Sequence, residues 1–74
     1  MIEHRVVKVI SEISSTGVSA KRLTLTSWNG NPAKMDLRVW RTEDGENRPG
    51  KGLTLNDDEA RTLYEALHRY YTER

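Results

Sequence analysis

Residues 21–42 read KRLTLTSWNGNPAKMDLRVWRT, and their alternation decides the fold. Leu23 and Leu25 fall on one side of an extended chain, with Ser27 beyond them, while Arg22, Thr24, Thr26 and Trp28 fall on the other. Period-two alternation marks a strand with one buried face. Asn29-Gly30-Asn31-Pro32 then breaks the pattern, since Asn-Gly accepts positive φ and Pro resists strand continuation. The alternation resumes with Met35, Leu37 and Val39 on one side and Lys34, Asp36, Arg38 and Trp40 on the other. Two antiparallel strands are therefore expected, from Lys21 to Asn29 and from Lys34 to Thr42.

Outward from this pair the signals are less even. Arg5 to Ser15 holds Val6, Val7, Val9, Ile10 and Ile13, and this β-branched content argues for a strand whose faces do not separate cleanly. Ser14-Ser15-Thr16-Gly17 reads as a turn by composition. Glu43 to Gly50, polar and containing Pro49 and two glycines, reads as a loop, with a short strand from Lys51 to Leu55. Asn56 followed by Glu59 has the spacing of a capping box, and Asp57, Asp58 and Glu59 complement a helix N-terminal dipole. Ala60, Leu63, Tyr64, Leu67 and Tyr71 follow at helical spacing, widened by Ala66 and Tyr70, with Arg69 and Arg74 near the end. The order is four strands and a helix. The expectation is an α+β domain over residues 1–74, a four-stranded curved antiparallel sheet with the helix on the leucine face and both tryptophans on the other.

Bulk properties narrow the function. A chain of 74 residues has a marginal core, and such scaffolds commonly add disulfides, a metal or a partner subunit. Cysteine is absent, and His4 and His68 are the only imidazoles. A second copy is the remaining common route to burial, so a homodimer is expected, with no cofactor and no metal. Nothing approaches the ~20 apolar residues of a membrane span. Met1-Ile2-Glu3-His4-Arg5 begins with an acid and has no long apolar run, so it is read as no signal peptide, and a cytoplasmic location is expected. Net charge is +1, but residues 1–42 carry seven Lys/Arg and three Asp/Glu, while residues 43–74 carry five and eight. One half can therefore present a positive surface.

The outward faces of the central strands combine Arg22, Trp28, Arg38 and Trp40. Aromatic rings among cations suit single-stranded nucleic acid, because unpaired bases stack on the rings and Arg or Lys holds the phosphates. The competing reading packs the tryptophans against a partner subunit or the N-terminal segment, and pairs Arg38 with a cross-strand acid. Gly45 to Lys51 spells G-x-x-x-x-G-K, but Gly52 stands where a phosphate loop needs Ser or Thr, and the run leads into a strand rather than a helix. The helix-start carboxylates are explained by the dipole, and His4 is placed near a fraying terminus. No nucleophile, base and orienting group occur together, so no enzyme is expected.

Asp36-Leu37-Arg38-Val39-Trp40, then Pro49-Gly50-Lys51-Gly52-Leu53-Thr54-Leu55, then Asn56-Asp57-Asp58-Glu59 resembles the C-terminal domain of the transcriptional positive cofactor four family. Ser27-Trp28-Asn29 looks like that family's short bacterial branch. The likeness covers roughly residues 20–72 and rests on several motifs in order. It departs in having one Lys in the loop where a pair is usual, and a strand one residue shorter after Arg38. The resemblance implies a homodimer, with helices in its interface, that binds single-stranded DNA with little sequence preference in transcription, replication or repair, and so a protein associated with the nucleoid. By position Arg38, Trp40 and Lys51 match the DNA-contacting motifs; Trp28 and Lys34 fall beside them. Arg22 and Lys21 are candidates by face and charge. An RNA-binding module on the same face, or a protein-interaction domain using it, are the alternatives, and neither a membrane nor a small-molecule substrate is expected.

Overall fold

The computed structural model describes residues 3–73. Met1 and Ile2 of the signal-peptide reading, and Arg74, expected beside the helix C-terminus, lie outside them. Four strands run β1 His4–Thr16, β2 Ser19–Trp28, β3 Lys34–Glu43 and β4 Glu46–Leu55, followed by α1 Asp57–Thr72. They form one antiparallel meander in the order β1-β2-β3-β4.

The turns are built by residues that tolerate positive φ. Asn29 (52°) and Gly30 (77°) take the two central positions after Trp28, and the Asn31 N–H donates to the Trp28 carbonyl at 3.0 Å. Asp44 (51°) and Gly45 (78°) do the same between β3 and β4. Both pairs have the left-handed signature of a type I′ turn, whose twist matches that of the flanking strands. Gly17 and Val18 connect β1 to β2, so Ser14 to Thr16, read as turn, continue the strand.

The expected loop from Glu43 to Gly50 is corrected too: only Asp44 and Gly45 turn, and β4 starts at Glu46. Pro49 is accommodated because β4 is an edge strand and is bulged there, with Arg38 opposite Gly52 but Trp40 opposite Pro49. β1 has three such irregularities, between Val6 and Lys8, Val9 and Ser11, and Glu12 and Ser14. Each inserts one residue, Val7, Ile10 or Ile13, so the strand repeats every three residues rather than two. That is why its apolar residues do not alternate.

Repeated bulges curl the sheet, and the curl reverses the expected burial. The side of Thr24 (1% exposed), Thr26 (0%), Asp36 (0%) and Trp40 (2%) is the inside, although no second layer covers it. His4, Val6 and Val9 of β1 and Asn47 of β4 border one hollow with Trp40, across the mouth of the curl. The leucine face, with Leu23, Leu25, Met35, Leu37 and Val39, is only half-buried.

The capping box forms as expected: Asn56 Oδ1 accepts from the Glu59 N–H and Glu59 Oε1 accepts from the Asn56 N–H, each at 2.8 Å. Asp57 accepts from Arg61 one turn on at 2.9 Å, which holds the guanidinium pKa above its ordinary value. The expected docking of the helix over the leucine face is not found within one chain. α1 contacts β3 and β4 only, and none of its residues is buried.

Candidate nucleic-acid interface

The inner face is organised by Asp36. The register sets Asp36 between Thr24 on β2 and Thr54 on β4, with Arg22 opposite Arg38 and Ala20 opposite Trp40. Asp36 Oδ1 accepts from Arg38 Nε at 2.6 Å. Its Oδ2 accepts from Arg38 Nη2 at 2.9 Å, Thr54 Oγ1 at 3.0 Å and Trp28 Nε1 at 3.1 Å. A fully buried carboxylate is tolerable when a paired cation and several donors replace its water, and all four bonds here serve that end. Arg38 gives its third bond, from Nη1 to the Gly50 carbonyl at 2.9 Å, and its Cζ lies 4.7 Å from the centre of the Trp28 ring. Gly52 is required beside it, since a Cβ there would overlap Arg38 Cβ.

Trp28 and Trp40 stand with ring centres 6.4 Å apart and planes 11° from parallel. His4 tilts against both, at 5.6 Å from Trp28 and 5.3 Å from Trp40. The chain from Glu3 is tied down by reciprocal bonds with Asn29, Glu3 N–H to Oδ1 at 3.0 Å and Asn29 N–H to the Glu3 carbonyl at 2.8 Å.

The structure separates the sequence candidates. Trp40 is not an outward platform; it is core, covered by His4 of the N-terminal strand. Arg38 has an acid, but it is Asp36 two residues away on its own strand, not a cross-strand partner. Trp28 is half-buried and Lys34 is exposed on the same face. Arg22 keeps a quarter of its side chain exposed, with Nε reaching Glu12 Oε1 at 3.4 Å. Lys21 is exposed but pairs with Val39, on the opposite face, and Lys51 is exposed beside the β4 bulge and enters none of the cluster's bonds. Residues missed by sequence reasoning include Asp36 as the hub, Thr54, Asn47 and His4, which pairs with Trp28 instead of fraying. The signal for His4 was its place on one face with Val6, Val9 and Glu12, at spacings of two, three and three residues, legible only once the bulges are known.

Two open hollows flank the indole pair. One, of about 250 Å³, is bordered by Trp28, Asn31, Pro32, Lys34 and Thr54. The other, of about 310 Å³, is bordered by Trp40 and Arg22, with Val6, Val9 and Asn47 around them. Each therefore combines an indole with a cation, an arrangement that can receive a flat ring and hold a nearby anion. No helix among the described residues is long and apolar enough to cross a membrane.

A family model described as Transcriptional Coactivator p15 (PC4) matches residues 18–66 of the 74. The match runs from the β1–β2 turn into α1 and takes in every residue of the Asp36 cluster. A search of curated proteins found no match to the chain. The strands β2 to β4, the first part of α1 and the buried Asp-x-Arg hub thus sit inside the matched region, and the chain belongs to the transcriptional coactivator p15 (PC4) family, a family of DNA-binding coactivators.

Proposed function

We propose that this protein binds single-stranded DNA without catalysis, as a homodimer, with little sequence preference, and serves transcription regulation, replication or repair at the bacterial nucleoid in the cytoplasm. The observation that carries the reading is the pair of hollows on one curved face, Lys34 beside Trp28 and Arg22 beside Trp40. A single strand offers what such a face takes: bases able to leave their stack, and phosphates for the cations. Duplex DNA keeps its bases stacked and offers backbone and groove edges but no free ring faces. The homodimer is supported by α1, whose apolar stripe finds no cover within one chain.

The test is a titration of tryptophan fluorescence with oligo-dT at two salt concentrations, with duplex DNA as control and oligo-rU as competitor. Quenching by the single strand, weaker at high salt and slight with duplex, is expected. Lys34→Ala should weaken binding and lower the salt dependence by roughly one phosphate contact. Silence at low salt would remove the reading, and displacement of dT by equimolar rU would turn it to RNA. Arg38→Ala and Trp40→Ala are unsuitable probes, since both residues hold the sheet together.

A further inference from the structure

His4 is the open ring of the aromatic cluster. Trp40 is 2% exposed and Trp28 is half-buried, whereas His4 is exposed beside both. Its ring centre lies 5.3 Å from that of Trp40 and 5.6 Å from that of Trp28, with planes tilted by 54° and 44°. Tilted rings at such distances attract one another, so the indole pair forms a bed that positions the imidazole. The backbone positions it as well. His4 pairs with Trp28 in the β1–β2 register, and the two bonds between Glu3 and Asn29 hold the residue before it.

Two hollows meet at this ring. One, of about 310 Å³, is shared with Arg22, Thr24 and Trp40; the other, of about 530 Å³, with Arg5, Ser27 and Asn31. Each is therefore bordered by a cation. Glu3 borders the larger hollow and, among the described residues, no carboxylate borders the smaller one, so a phosphate is better placed on the side of Arg22. A flat group that enters there finds almost nothing of Trp40 in reach, because that indole is buried. The accessible ring is the imidazole.

We infer that His4 is a base-stacking residue: one base of the bound strand lies against its imidazole, in the hollow beside Arg22, with the indole pair as support. The inference rests on the single-strand reading above and adds a ring that neither tryptophan supplies at that place. Imidazole belongs with the aromatic side chains on which unpaired bases stack, and such stacking tolerates any base. A ring already held by its neighbours loses little freedom when a base arrives, so more of the contact appears as affinity. The competing role for His4 is a cover for Trp40, which calls for apolar bulk and no ring face.

Two variants of the full chain separate these roles. His4→Leu keeps bulk over Trp40 and removes the ring; His4→Phe keeps the ring. Each is titrated with oligo-dT and with an abasic strand of equal length, which has the phosphates and no bases. His4→Leu should bind oligo-dT about fivefold more weakly than the natural chain, the low end of what loss of one stacked ring costs. It should bind the abasic strand unchanged, and His4→Phe should stay within about twofold of the natural chain on both strands. Undiminished oligo-dT binding by His4→Leu would overturn the inference and leave His4 as a cover. Equal weakening on both strands would overturn it too, since the imidazole would then act through the fold, and so would a His4→Phe as weak as His4→Leu. In all three cases the single-strand reading stands. Failure of the natural chain to bind oligo-dT would remove both.

Discussion

At the scale of single residues, Asp36 decides more than any residue the motifs advertise. It is fully buried and gathers Trp28, Arg38 and Thr54, so three strands converge on one carboxylate. Removing one partner of a buried pair strands the other, and the cost is typically ~3–5 kcal/mol. Asp36→Ala should therefore lower stability by about that amount in urea unfolding, and should shift the fluorescence of Trp28 toward that of a solvated indole. A loss below about 1 kcal/mol would mean that the cluster contributes no more than a surface pair. The sequence disclosed that Asp36, Arg38 and the two indoles share a face, because strict alternation in β2 and β3 fixes that. It did not disclose that the face is the inside of a curl. Polar residues alternating with leucines ordinarily look outward, and Thr24, Thr26 and Asp36 become interior only because the sheet bends over them.

At the scale of elements, bulges and glycines set that bend. Period-two reading worked for β2 and β3, which are regular, and failed for the two edge strands, which are not. β1 repeats every three residues and β4 carries Pro49, and both departures are allowed because an edge strand has one unpaired side. The helix was legible throughout, since its capping box and stripe are local signals. In β4 the tightest point is Gly52, directly opposite Arg38. An added Cβ would meet Arg38 Cβ, Arg38 Cα and the Leu37 carbonyl, two of which are backbone atoms that cannot rotate away. Gly52→Ala should therefore separate β4 from β3 locally and lower stability by roughly 1–3 kcal/mol, the usual range for overpacking. Gly45→Ala offers the contrast: it meets open space and acts only through its positive φ. If thermal unfolding ranks Gly52→Ala as the milder of the two, close strand approach is not what selects that glycine.

At the scale of the whole molecule, a single chain leaves much apolar surface uncovered. Its Cα radius of gyration is 13.6 Å, with extents of 44 × 31 × 18 Å. A compact chain of this length would have a radius of roughly 11 Å. The excess lies with α1, which has no buried residue, and with apolar side chains left in water: Val7 at 52%, Ile13 at 56%, Leu53 at 50% and Leu67 at 49% exposure. An isolated helix of this length is marginal in water, so one whose stripe is uncovered needs something to lie against. A second copy offers the same stripe and the same half-buried leucine face, and a two-fold arrangement would cover both at once. Sedimentation should then give twice the 8.5 kDa chain mass at micromolar concentration. Leu67→Glu separates the two cases. Were the single chain the working unit, Leu67 would be a surface residue and its replacement would change stability by no more than ~0.5 kcal/mol. In a dimer closed by α1, the same change buries an unpaired charge at the interface, so it should shift sedimentation to the monomer and lower the melting temperature together. A monomeric natural chain with an undisturbed Leu67→Glu variant would leave α1 as a helix held by its cap and ion pairs alone.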